Sequence, residues 1–333
     1  MRLYFSIAFL IRLVASANYT DYPQKFFLET LFLNEIQQGG VADGIKFHCY
    51  TVDNEDSFLL KLNVEATADK LLLRYPLVFI LHGWMDEGTS DWVQGIQMAW
   101  RRYQDVNICA VDWRKFAGQD YKSAMLKVFR VGNTVVQMIR WLESYRNVDR
   151  NDIILVGYSL GAHAVGYAGS RLNGQIGEII GLDPAGPLFT MPYDVGHKYR
   201  LDESDARFVQ VMHTSAGTLG TDKKCGHADF YPNGGSSPQS NCIYPANENE
   251  ENKNPIGCSH SSVVKFFKYS LNPNNLYIGW DCSNYKHFKL GLCRWNKMSR
   301  FGIHSERRKG NFYFSTLTNA PYVETKRTKD DLP

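Results

Sequence analysis

A chain of 333 residues with 44% hydrophobic and 21% charged residues is ordinary globular material, long enough for one large α/β domain or two small ones. Its formal net charge of +3, with no long block of one sign, excludes nucleic acid as a natural partner and leaves only modest steering toward anionic surfaces. Aromatic residues make up 14%, which suits an apolar ligand and a thick core equally.

The N-terminus reads as an export signal over residues 1–17. Met1-Arg2 gives a positive start, residues 3–14 are mostly apolar although Arg12 interrupts them, and Ala15-Ser16-Ala17 fits the small-x-small cleavage rule. Residues 18–333 are then expected to be secreted as one soluble domain, since no later stretch is long and apolar enough to span a bilayer. The sole N-x-S/T sequon, Asn18-Tyr19-Thr20, falls at that mature terminus.

Residues 24–38 carry Phe27, Leu31, Phe32 and Ile36 near helical spacing, predicting a short docked helix. Residues 46–51 and 58–62 flank an acidic turn at 53–56 and predict a hairpin. Strands and helices then alternate. Strands are expected at 77–81, 107–111, 153–156, 179–182 and 208–213, and helices at 92–103, 123–145 and 162–169. This alternation specifies a mostly parallel sheet covered by helices on both faces. Residues 225–258 read as loop, with an acidic, Asn-rich stretch at 247–254.

Seven cysteines fit an oxidising compartment. Cys49 and Cys109 lie in apolar strand-like segments and read as buried thiols. The other five lie in loop-like sequence, where Cys242–Cys258 and Cys282–Cys293 are the preferred pairs and Cys225–Cys242 the alternative. Zinc is not expected, because no C-x-x-C occurs and no His stands at ligand spacing.

The chemistry centres on Gly157-Tyr158-Ser159-Leu160-Gly161, set between a buried strand and a small apolar helix. A serine on that tight strand-to-helix turn is thrust out at the carboxyl edge of a sheet, and the flanking glycines relieve the crowding. Its hydroxyl needs a histidine to take the proton and an acid to orient the histidine. In such folds the acid and then the histidine follow the serine. Asp183 ends the 179–182 strand before Pro184, and His260 stands in Cys258-Ser259-His260-Ser261-Ser262, read as a loop ahead of a helical run at 263–271. His213 and His227 read as structural, and Asp229 lacks the placement of a catalytic acid. Two backbone N–H donors must face the developing negative charge. Leu160 supplies one, and Trp84, after the strand in His82-Gly83-Trp84, supplies the other.

His82-Gly83-Trp84, Val111-Asp112-Trp113, the 157–163 segment, Gly181-Leu182-Asp183-Pro184-Ala185-Gly186-Pro187 and Asp229-Phe230-Tyr231-Pro232-Asn233-Gly234-Gly235 occur in this order over roughly residues 40–320. Together they resemble the animal pancreatic lipase family of triglyceride lipases, phospholipases A1 and insect relatives. The resemblance implies an α/β-hydrolase fold, Ser159 as nucleophile, Asp183 as acid, His260 as base, and Trp84 and Leu160 as oxyanion donors. It implies no cofactor for catalysis, but a structural calcium at Asp202 and Asp205 within Arg200-Leu201-Asp202-Glu203-Ser204-Asp205. Ser262 stands where the family usually has an arginine. Only about a dozen residues follow Pro321, so a C-terminal β-sandwich and its helper-protein partner are not expected.

The function expected is secreted serine carboxyl-ester hydrolysis of lipid at a membrane, micelle or droplet surface. The fifteen-residue lid segment, 243–257, has Pro245 and Pro255 around a polar, net acidic centre with no apolar stripe. The 215–225 loop also looks short. Both features favour phospholipase A1 action over triglyceride hydrolysis. A catalytically silent, yolk-type lipid carrier is the contrasting expectation, disfavoured because serine, acid and histidine are all present.

Overall fold

A computed structural model describes residues 21–40, 42–243 and 254–325. The export signal, the sequon and residues 244–253 of the lid segment lie outside the described residues. In chain order the principal elements are α1 (Asp21–Gln37), β1 (Lys46–Thr51), β2 (Asn54–Leu60), β3 (Leu77–Leu81), α2 (Asp91–Tyr103), β4 (Asn107–Asp112), α3 (Tyr121–Arg146), β5 (Ile153–Tyr158), α4 (Leu160–Arg171), β6 (Glu178–Leu182), β7 (Val209–Met212), β8 (Ala228–Pro232), α5 (Pro255–Ser270), β9 (Ile278–Asp281), α6 (Tyr285–Lys289), β10 (Met298–Arg300) and β11 (Gly310–Phe314).

The strands make one sheet in the order β10-β9-β11-β8-β7-β6-β5-β3-β4-β1-β2. From β4 to β11 all neighbours are parallel, and antiparallel strands close both edges. A parallel strand covered on both faces must be apolar on both, and Leu77–Leu81 is buried at every position. Its side chains alternate between two cores. Leu77, Phe79 and Leu81 join Phe32, Val135 and Val165 of α1, α3 and α4 on one face. Val78 and Ile80 join Ile96, Trp100 and Phe267 of α2 and α5 on the other. This is the α/β-hydrolase fold anticipated from the sequence.

Several details differ. The hairpin turn is tighter than the acidic run suggested: Thr51 faces Asn54, so Asp53 stays in the turn while Asp56 lies exposed on β2, an edge strand where a charge discourages further pairing. Cys49 and Cys109 are not thiols but a disulfide, because β1 and β4 pair antiparallel with these two residues directly opposite. Cys242–Cys258 and Cys282–Cys293 are bonded as preferred, and Cys225 is a buried free thiol. The 225–258 region is not all loop, since β8 lies within it and is buried throughout. His260 stands within α5, which begins at Pro255 with the Asn254 side chain accepting the Gly257 N–H (3.1 Å).

Candidate active site

Ser159 joins β5 to α4 with φ 55° and ψ −118°, a conformation that costs a non-glycine residue about 1–3 kcal/mol and is held by its surroundings. Its N–H donates to the Leu182 carbonyl (3.0 Å). A β-carbon at Gly161 would come within 2.5 Å of the carbonyl oxygens of Leu81 and His82, and one at Gly157 would strike the Gly161 carbonyl. The glycines therefore let the turn close against β3, and the serine oxygen is left at the sheet's carboxyl edge.

There it meets residues brought from far along the chain. The Ser159 hydroxyl is 2.9 Å from His260 Nε2, and His260 Nδ1 is 2.6 Å from Asp183 Oδ2. Asp183 is fully buried just past β6, while Ser159 and His260 keep 7% and 8% of their surface exposed, enough for access from one side. Asp183 Oδ1 accepts the Thr214 and Ser215 backbone N–H groups (2.8 and 3.1 Å), and Oδ2 also accepts the Ser215 hydroxyl. Burial alone would push the Asp183 carboxyl up. The bonds from His260, Ser215 and Thr214 outweigh it, and the group is held below the usual carboxylate range. A carboxylate fixed in this way orients the imidazole with Nδ1–H toward itself, leaving Nε2 free to accept the serine proton.

The two proposed oxyanion donors flank this chain. Leu160 opens α4, so its N–H has no acceptor one helical turn back. The Trp84 loop is built from beneath. His82 is buried, with Nδ1 2.9 Å from the Gly83 carbonyl and Nε2 accepting the Trp113 N–H (3.1 Å). The Trp113 indole donates to the His82 carbonyl (2.9 Å), and the two rings stack at 5.3 Å. Asp112 accepts from Arg114 at 2.7 Å. Trp84 packs edge-on against Tyr121 (5.3 Å) and its indole donates to the Gln119 carbonyl (2.8 Å). The Val-Asp-Trp segment thus braces the loop that carries Gly83 and Trp84, a role its sequence did not announce.

Ser215 is the functional residue that sequence reasoning missed. Its hydroxyl touches both Asp183 and His260 Nδ1 (3.2 Å), yet a serine after a strand carries no distinctive signal. His213 is structural, as read: it pairs with Asp229 at 2.8 Å in full burial, and Asp229, which stands on β8 rather than in a loop, also accepts the Cys225 and Gly226 N–H groups. Ser262 donates to the Cys258 carbonyl (2.8 Å) and accepts from Asn241 (2.9 Å), tying the start of α5 to the strand-side loop.

Asp205 packs against α4 at Gly166 and Gly169, and among the hydrogen bonds of Ser159, His260 and the Asp183 side chain none is made with Asp202 or Asp205. Asp202 caps a short 3-10 turn through the Ser204 N–H (3.1 Å) and also contacts His197, while Asp205 accepts the Asp202 N–H (2.8 Å). Burial pushes the Asp205 carboxyl up to about 8. Among the described residues no third His, Cys, Asp or Glu completes a metal cluster with them.

A sequence-family model described as Lipase matches residues 20–326. Pancreatic lipase-related protein 2 of Cavia porcellus is 33% identical over 258 residues, which cover 74% of this chain and 56% of the relative. Hepatic triacylglycerol lipase of Rattus norvegicus is 39% identical over 239 residues, 66% of this chain and 47% of the relative. Pancreatic triacylglycerol lipase of Cavia porcellus is 30% identical over 305 residues, 83% of this chain and 64% of the relative. The chain spans about half the length of the first two relatives.

Proposed function

The chain belongs to the lipase family, and from that premise we propose that it is a serine carboxyl-ester hydrolase of lipids, with phospholipase A1-type release of the sn-1 acyl chain as its main action. The observation that carries the hydrolase reading is the hydrogen-bonded succession Ser159–His260–Asp183 at a strained strand-to-helix turn. Ser159 attacks the ester carbonyl while His260 takes its proton, and the backbone N–H groups of Trp84 and Leu160 receive the oxyanion. The imidazolium then protonates the leaving alcohol. Water, activated by the same histidine, releases the fatty acid from the serine. No cofactor takes part in these steps. A silent lipid carrier would have no use for this constellation.

Two features support phospholipid as the substrate. The lid segment has a polar centre bounded by Pro245 and Pro255. The loop after β7 folds tightly onto the acid: Gly220 N–H donates to the Ser215 carbonyl (3.1 Å) and Thr221 N–H to the Pro184 carbonyl (2.8 Å). A short, tight loop at this position is consistent with an uncovered site of the kind phospholipid hydrolysis calls for. Triacylglycerol hydrolysis is the second reading, favoured by the names of two of the relatives. Phosphatidylcholine vesicles and a triglyceride emulsion offered side by side separate the two. The proposal expects lysophospholipid and fatty acid from the vesicles; release confined to the emulsion would overturn it.

Export to an oxidising compartment is part of the proposal, supported by the N-terminal sequence and by three disulfides. So is a structural calcium. Asp202 and Asp205 offer the hard oxygens that calcium prefers, and the buried Asp205 carboxyl is the kind of group a dication would hold ionised. Backbone carbonyls would have to supply the other ligands. When bound, the ion would supply rigidity where Asp205 packs against α4.

A further inference from the structure

The 282–300 segment carries exposed apolar side chains interspersed in sequence with positive charge. Leu290, Leu292 and Trp295 are 64%, 65% and 85% exposed, an unusual degree for side chains of this size. Of the five cations in the segment, Lys286, Lys289 and Arg294 stand among these side chains in sequence, while Lys297 pairs with Asp281 (3.6 Å) and Arg300 donates to the Pro273 carbonyl (3.3 Å). The formal charge of this one stretch exceeds the +3 of the whole chain.

The segment is firmly built. The Cys282–Cys293 disulfide closes it, Asn284 caps α6 by accepting the His287 N–H (2.9 Å), and the Leu290 and Leu292 N–H groups donate to the Lys286 and His287 carbonyls (both 3.1 Å). Aromatic rings seat it on the sheet: Phe288 lies 6.3 Å from Trp280, and Tyr285 lies 6.3 Å from Tyr313. With those rings turned inward, the leucines and Trp295 are left outside. The Arg294 guanidinium lies 5.2 Å from the Trp295 ring centroid, so the tryptophan carries its own cation.

We propose that this segment docks the protein onto an anionic phospholipid surface. Tryptophan and leucine enter the headgroup boundary, where an amphipathic ring is most stable, while the lysines and arginines meet lipid phosphates and carboxylates. A second copy docked on the same face does not fit, because Lys286, Lys289 and Arg294 would face their own counterparts. A purely polyanionic partner would engage the cations but leave the leucines and tryptophan unused. The proposal rests on the lipid-hydrolase reading for its purpose, and its test reads binding and hydrolysis separately.

The test is co-sedimentation of the full chain, carrying Ser159→Ala to prevent lipid turnover, with two vesicle types: phosphatidylcholine alone, and equal parts phosphatidylcholine and phosphatidylserine. Binding is expected to be at least about tenfold tighter to the anionic vesicles, given several contacts each sensitive to surface potential. Combined Trp295→Ala, Leu290→Ala and Leu292→Ala should weaken it about tenfold or more, as should Lys286→Glu with Lys289→Glu. In the Ser159 background restored, both sets should hydrolyse a dissolved short-chain ester at the wild-type rate, which reports an intact fold. Equal binding to both vesicle types would overturn the proposal. So would full binding by the apolar-to-alanine set, which would assign the segment to a polyanion. If the wild-type chain hydrolyses no dissolved ester, the hydrolase reading fails while the vesicle result still decides this one.

Discussion

Replacing Asp183 with Asn keeps the shape of the acid and reverses the polarity at one of its two oxygen positions. Asn Oδ1 can still accept the Thr214 and Ser215 N–H groups, now at 2.8 and 3.1 Å. The amide nitrogen falls where Oδ2 was, 2.6 Å from His260 Nδ1, and presents a donor. The imidazole must then make Nδ1 its acceptor and carry its proton on Nε2, which can no longer take the Ser159 proton. The Ser215 hydroxyl can rotate to accept from the new amide, so the fold loses roughly 1–3 kcal/mol of hydrogen bonding rather than collapsing. The wrong tautomer, by contrast, is worth about 10⁴-fold in turnover, or about 5 kcal/mol of barrier. The assay is kcat on a dissolved short-chain ester, where interfacial binding plays no part, beside a urea unfolding curve. A folded Asn variant with turnover within about tenfold of wild type would refute the reasoning and place the orienting acid elsewhere.

Other expectations follow from neighbouring contacts. Ser215→Ala removes one of the bonds holding Asp183 below its usual range, so kcat should fall about tenfold, measured on the same ester with the KM little changed. Burial would lower the His213 imidazole, but Asp229 outweighs it and holds the group above its ordinary value. The stability of that pair is therefore complete below the unfolded histidine's value and is lost as pH rises through the folded one. His213→Gln should flatten the fall in urea midpoint on the alkaline side; an unchanged pH dependence would show the pair contributes nothing. Removing Cys49 and Cys109 together opens a cross-link of sequence separation 60, which the chain-entropy relation values at about 4 kcal/mol. Thermal unfolding of the double alanine variant reads this directly. Calcium, if held by Asp202 and Asp205, should raise the unfolding temperature of wild type and not of Asp202→Asn.

The legible parts of the fold were those where one physical requirement dominates. Buried parallel strands must be apolar, so 77–81, 107–111, 153–156 and 179–182 stood out within a residue or two of their limits. Strand β8 did not, because Asp229 interrupts it, and that carboxylate is tolerated through its pairing with His213 and the Cys225 and Gly226 N–H groups it accepts. Strands β9, β10 and β11 are short and lie toward the sheet's far edge, where half-exposed residues leave no strong pattern. The helix carrying His260 starts earlier than its sequence predicts, since Ser259, Ser261 and Ser262 weaken the helical signal, and Asn254 followed by Pro255 is the start signal the sequence carries. The Cys49–Cys109 bond was hidden because it depends on the register of two strands that no local feature sets. The contacts among Ser159, His260 and Asp183 were readable because a nucleophile turn and its partners follow a fixed chain order. Ser215 and the Trp113 brace were not, since their roles exist only through contacts across 32 and 31 residues of chain.

The central claim is that Ser159 is a nucleophile activated by His260. Treating the folded protein with a fluorophosphonate, which forms a covalent adduct only on an activated serine, and mapping the modified peptide by mass spectrometry tests it most directly. One adduct on Ser159, absent from Ser159→Ala and slowed by orders of magnitude in His260→Gln, is the predicted result. A folded wild-type chain left unmodified, or modified equally fast without His260, would contradict it.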